Sequence, residues 1–167
     1  MNLYMKQKVF SWGDKFNIYD ETGGEVYFVR GEVFSLGKKL HIEDLNGREL
    51  AFIQQKLISF LPKYYILRNS NQVAEVVKKF TIFKHKYIVN GLDWTVEGNF
   101  TGHEFSIKAL DGRELASVHK KWLSWGDTYE ISIALGEDAV NVLAVVLVID
   151  ACIEAENNAA QSASSSD

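Results

Sequence analysis

Between residues 4 and 135 apolar and polar side chains alternate in short steps, Leu40 and Ile42 against His41 and Glu43, Phe105 and Ile107 against Ser106 and Lys108. A period of two sends successive side chains to opposite faces of a strand, so this stretch predicts a series of half-buried strands. Turn pairs interrupt it at short intervals: Gly13-Asp14, Gly23-Gly24, Asn46-Gly47, Asn90-Gly91, Asp111-Gly112 and Gly126-Asp127. Asn-Gly and Asp-Gly accept the positive φ that tight hairpins demand, and the connections therefore read as a meander. Roughly ten to twelve short antiparallel strands fit, enough to close a barrel and leave no open edge.

Two repeats run through the pattern. A Lys, an aromatic four residues on, a second aromatic eight on and Ile or Val ten on recur as Lys8/Trp12/Phe16/Ile18, Lys56/Phe60/Tyr64/Ile66, Lys79/Phe83/Tyr87/Val89 and Lys121/Trp125/Tyr129/Ile131. The string Leu45-Asn46-Gly47-Arg48-Glu49-Leu50-Ala51 returns as Leu110-Asp111-Gly112-Arg113-Glu114-Leu115-Ala116, an offset of 65 residues. The β region is thus internally duplicated. The fourfold motif sits on hairpins, with Gly13-Asp14-Lys15, Leu61-Pro62-Lys63, Lys84-His85-Lys86 and Gly126-Asp127-Thr128 at its centre. Pro62, the single proline, falls where a missing backbone donor does least harm. Trp125 and Tyr129, with the other motif aromatics, are expected to fill the barrel wall, and the motif Lys to cap the rim.

After residue 135 the period changes. Gly136-Glu137-Asp138 places two acids ahead of an apolar stretch, as a helix N-terminus prefers, and from 139 to 153 only Asn141 and Asp150 are polar. Those two lie about 180° apart around a helix, which leaves it no wet face. The competing membrane span needs about 20 apolar residues, and Asp150 ends the run from 142 to 149 well short of that. Twelve helical residues rise about 18 Å, close to the height of a typical strand, so a helix over about 138–156 is expected to thread the barrel. Residues 1–156 then form a single domain, and the Asn, Ala, Gln and Ser of 157–167 are expected to be a disordered tail.

The 167 residues are 47% apolar, with 18 Lys+Arg against 22 Asp+Glu and a net charge of −4. This suits one core, and the acidic balance argues against bulk adhesion to nucleic acid. Cys152 is alone, and no apolar leader precedes the first charges. Both suit a reducing cytosol.

The string Phe34-Ser35-Leu36-Gly37 with Leu40-His41-Ile42, then Gly47, Glu49, Ala51, Lys56 and Ser59, and later Val96-Glu97-Gly98 through Lys121-Trp122-Leu123-Ser124-Trp125-Gly126-Asp127-Thr128-Tyr129, resembles the LURP-one-related family. The resemblance extends from about residue 4 to 156. Members of that family are similar to the tubby C-terminal domain and the phospholipid scramblases. The resemblance implies a closed antiparallel barrel of about twelve strands around a central apolar C-terminal helix. Tubby domains bind phosphoinositide head groups, but no tubby head-group residue has a counterpart matched here.

Catalytic and metal motifs are missing from the sequence. His41, His85, His103 and His119 are scattered, with no HxH, HExxH or CxxC spacing, and Cys152 lies within the apolar helix. Neither a cofactor nor a metal is expected. Arg48-Glu49 and Arg113-Glu114 read as duplicated ion pairs or solvated edges. The candidate site is an anion-binding rim of Lys78, Lys79, Lys84, His85 and Lys86, because this hairpin tip is cationic where its counterparts carry Asp14, Pro62 and Asp127. The expected activity is a non-enzymatic binding module, cytoplasmic or peripheral to the membrane, for an anionic phospholipid head group or a membrane-surface partner. The rivals are a scramblase-like protein that inserts its C-terminal helix and a nucleic-acid-binding regulator.

Overall fold

The computed structural model describes residues 1–6, 15–80, 85–123 and 126–164, a few at hairpin ends by backbone alone. The alternating region forms twelve strands: β1 (Asn2–Lys6), β2 (Lys15–Tyr19), β3 (Glu25–Gly31), β4 (Lys39–Glu43), β5 (Glu49–Gln55), β6 (Lys63–Arg68), β7 (Asn71–Phe80), β8 (His85–Asn90), β9 (Trp94–Asn99), β10 (Glu104–Ala109), β11 (Glu114–Leu123) and β12 (Gly126–Ile133). Each pairs antiparallel with its neighbour in sequence, and β1 closes the barrel on β12 from Asn2↔Ser132 to Lys6↔Thr128.

The duplication is visible down to irregularities. A register shift follows Ile42 between β4 and β5, and another follows Ile107 between β10 and β11, at the sequence offset of 65. Gly47 and Gly112, also 65 apart, hold φ of 80° and 86° in the turns that follow those strands. The two repeated arginines have diverged: Arg48 pairs with Asp44 within its own turn, and Arg113 reaches Glu137 ahead of the helix. Gly126-Asp127, expected as a turn, instead opens β12.

The period of two sorts the fourfold motif. Phe16, Tyr64, Tyr87 and Tyr129, the second aromatics, are all buried, as are Ile18, Ile66, Val89 and Ile131 two residues on. Residues i and i+2 share a face, so the motif writes one inward pair on each of four hairpins. The first aromatic behaves differently where it is described. Phe60 stands fully in solvent, which corrects the expectation that it fills the wall. Trp12 and Trp125 lie outside the described residues, as does Lys8.

The core around which the strands close is α1 (Ala139–Ser164). Val142, Leu143, Val145, Val146, Leu147, Val148 and Ile149 are all buried, covering every side of the helix. Only a helix inside the barrel can hide all its faces. Asp138 caps its first turn by accepting the Asn141 N–H at 2.9 Å. The helix continues through Ser164, eight residues past its expected end, so the stretch read as a disordered tail is solvent-exposed helix up to that point. Alanine, the best helix former, recurs through it and lets the turn propagate without packing.

Candidate functional site

In a closed meander the connections alternate between two mouths. Those after even-numbered strands, and the segment 134–138 that leads into α1, form the entry mouth; those after odd-numbered strands form the mouth through which α1 leaves. The two carry opposite charge. The entry connections hold Asp20, Glu21, Asp44, Asp93, Asp111, Glu137 and Asp138, with Arg48 and Arg113 but no lysine. Every described lysine except Lys108 lies in or near an exit connection: Lys38 and Lys56 within one, the others late in an odd strand or early in an even one. The chain is acidic overall, yet one end of the barrel is basic.

Both ends grip the helix. At the entry, Arg68 Nη1 donates to Asp138 Oδ2 at 2.7 Å and to Asn141 Oδ1 at 3.2 Å. At the exit, His103 Nε2 lies 3.2 Å from Asp150 Oδ1, Lys38 Nζ lies 3.2 Å from Glu154, and Lys78 pairs with Glu156. His103 is fixed by stacking on Tyr129, with ring centroids 4.5 Å apart. Deeper in, Cys152 is buried; desolvation first, and then the charge of Glu156, push its thiol up to about 12. It is a core residue and not a nucleophile.

The predicted rim residues do not share one surface. Lys78 is 4% exposed and points into the barrel, its ammonium 5.8 Å from the Tyr87 ring. It belongs to the helix grip, which removes it from the outer rim. Lys79, one residue on, faces outward and is exposed. It is the register partner of Lys86 on β8, so these two stand side by side on the outer wall, with Glu97 opposite Lys86 on β9. Lys84 and the side chain of His85 lie outside the described residues; the His85 backbone opens β8 opposite Phe80. Among the motif lysines, Lys56 is exposed in the β5–β6 connection. Lys121 pairs with Glu130. Burial raises the Glu130 carboxyl, but Lys121 and Tyr4 outweigh it and hold the group below its ordinary value.

Two features of the exit mouth escaped the sequence reading. One is the charge segregation itself, which becomes readable only when each strand's direction is assigned. The other is a pair of apolar hairpin tips, β3–β4 and β5–β6, which carry Phe34 and Phe60 wholly in solvent. On the outer wall His41 bridges Glu32 and Glu49 at 2.9 and 2.5 Å, and its hydrogen bond lowers the Glu32 carboxyl. That network occupies both ring nitrogens. A shallow depression of about 220 Å³ between β11 and β12 is lined by residues such as Glu114, Ala116 and Ile133 and gathers no cluster of titratable groups. Among the described residues no group of His, Cys, Asp and Glu is placed to hold a metal.

A twelve-stranded barrel threaded by its own C-terminal helix is the architecture of a tubby-like domain. The chain belongs to the LURP-one-related family, whose model matches residues 1–150. It is 44% identical over 151 residues to the uncharacterized protein YxjI of Bacillus subtilis (strain 168), covering 90% of this chain and 92% of that one. A protein of Arabidopsis thaliana solved by X-ray crystallography has the same fold, with a TM-score of 0.62 at 16% identity over 90% of both chains.

Proposed function

We propose that this barrel is a non-enzymatic binding module that docks its exit mouth on an anionic phospholipid surface, as a peripheral protein on the cytoplasmic side of a membrane. The observation that carries the reading is the segregation of charge: the lysines gather at one mouth, where some of them pair with carboxylates, while the connections of the other hold carboxylates and no lysine. Such a dipolar molecule is oriented by a negative plane before contact, and each lysine near that plane contributes about 1 kcal/mol. Lys79 and Lys86 are the paired outward cations, and Lys84 and His85 extend the same hairpin in sequence. The non-enzymatic part is supported by the burial and suppressed acidity of Cys152, the single thiol of the chain.

Flotation with neutral and anionic liposomes, beside a DNA mobility shift at two salt concentrations, tests the reading. Binding to anionic liposomes that weakens with salt supports it. A DNA shift with a steep salt dependence and no liposome binding replaces it with the nucleic-acid reading. A protein at the membrane surface becomes the ligand if neither is bound. The scramblase-like reading requires α1 to leave the barrel, and no helix among the described residues is long and apolar enough to cross a membrane.

A further inference from the structure

We infer that the neighbouring β3–β4 and β5–β6 tips form a two-pronged apolar wedge that enters the interfacial layer of an anionic bilayer. This rests on the exit mouth facing a lipid surface and adds a distinct site to it. Val33, Phe34 and Leu36 lie on the first prong, and Leu57, Ile58 and Phe60 on the second; Phe34, Ile58 and Phe60 are 101%, 90% and 102% exposed. Single exposed apolar residues are ordinary, whereas six large ones on two adjoining tips are not. The entry mouth supplies the contrast. Its exposed Leu45, Leu110 and Leu135 stand singly, next to or close to Asp44, Asp111 and Glu137.

The prongs are built as a unit. The Lys38 N–H donates to Gln55 Oε1 at 3.0 Å, and the Gln55 N–H donates to the Lys38 carbonyl at 2.8 Å, so each hairpin fixes the other. Ser35 Oγ donates to the Gly37 carbonyl at 2.7 Å and tightens the first tip. Gly37, at φ 77°, lets Leu57 lie against the backbone: a Cβ there would fall 2.6 Å from Leu57 Cδ2. Because these contacts already fix the backbone of the tips, docking has less of it left to order.

The occupant follows from shape and charge. Phe34, Ile58 and Phe60 project outward on two tips, and Lys38, Lys39, Lys56 and Lys63 lie towards their base, Lys38, Lys39 and Lys63 each paired with a carboxylate of Glu154, Glu32 and Glu75 in turn. Apolar tips above ammonium groups match acyl chains beneath a layer of phosphates. The exposed helical segment 157–164 rises from the same mouth but carries no charge and no large apolar side chain, so it adds neither attraction nor anchor.

The test is co-sedimentation with phosphatidylcholine vesicles containing phosphatidylserine, at low and high salt. The samples are the intact chain, the triple variant Phe34→Ser/Ile58→Ser/Phe60→Ser, and the entry-mouth control Leu110→Ser. All three replaced tip residues are solvent-exposed, so the melting temperature should hold. Loss of at least about tenfold in affinity for the triple variant, with Leu110→Ser unchanged, is expected, since each buried apolar side chain contributes on that scale. Equal binding by the triple variant and the intact chain overturns the wedge and leaves the electrostatic reading standing. No binding by the intact chain at low salt overturns both. As a direct readout, Phe60→Cys carrying an environment-sensitive dye should shift to the blue on anionic vesicles, and an unshifted spectrum in a vesicle-bound protein also overturns the wedge.

Discussion

Lys78 on β7 turns inward to pair with Glu156 where α1 leaves the barrel, while Lys79 beside it turns outward to stand opposite Lys86. Adjacent residues of one strand thus do unrelated work, one holding the helix and the other charging the outer wall. Lys78→Ala should lower stability by about 2 kcal/mol, mostly through the lost packing of its buried stem, because Glu156 is half-exposed and its pairing is screened. Lys79→Ala should change stability by less than about 0.5 kcal/mol. Chemical-denaturation midpoints compare the two, and the reverse order contradicts the assignment of faces.

The fourfold motif should divide energetically by position. Tyr64→Ala, Tyr87→Ala and Tyr129→Ala each remove a buried aromatic and should cost about 3–5 kcal/mol. Phe60→Ala, fully exposed, should cost almost nothing. Equal losses at all four positions would mean that Phe60 packs in the core.

Acid should loosen the barrel at definite points. Burial raises both Glu130 and Asp138, yet Lys121 with Tyr4 and the Asn141 N–H with Arg68, respectively, bring their net values below the ordinary ones of 4.5 and 3.8. A carboxylate depressed in the folded state adds stability above its unfolded value and loses it as pH falls through the folded one. Melting temperature should therefore be insensitive to these groups at pH 6–7 and fall below about pH 4.5. Glu130→Gln should flatten part of that fall. A variant that melts with the unaltered acid profile would remove Glu130 from the account.

Cys152 reports on the threading of α1. Its thiol, buried and pushed up to about 12, should resist a disulfide reagent at pH 8 in the native protein and react at once in denaturant. Rapid native labelling would place this helix outside the barrel.

Much of this fold was legible because period and punctuation agree. Phe105 and Ile107 against Ser106 and Lys108 announce β10, and Gly47 and Gly112 mark duplicated turns that both adopt positive φ. The Asn69-Ser70 turn between β6 and β7 was not legible: both residues have positive φ, at 49° and 64°, and Ser seldom signals it. The end of α1 was missed for a different reason. Polar composition argued for disorder, while the Ala-rich sequence sustains helix beyond the core. Of the candidate site, sequence proximity grouped Lys78 with Lys79, which the pleat separates. The exposed tips were hidden because Phe34 and Phe60 look like core residues until the strands flanking them are closed into a barrel.

The central claim, that the basic mouth of this barrel meets an anionic lipid surface, is tested most directly by charge reversal at the paired outward lysines. Co-sedimentation with anionic vesicles at low salt should be lost in Lys79→Glu/Lys86→Glu, whose fold stays intact by far-UV circular dichroism, while the intact chain binds and releases as salt rises. Undiminished sedimentation of the reversed variant, or no sedimentation of the intact chain at low salt, contradicts the account.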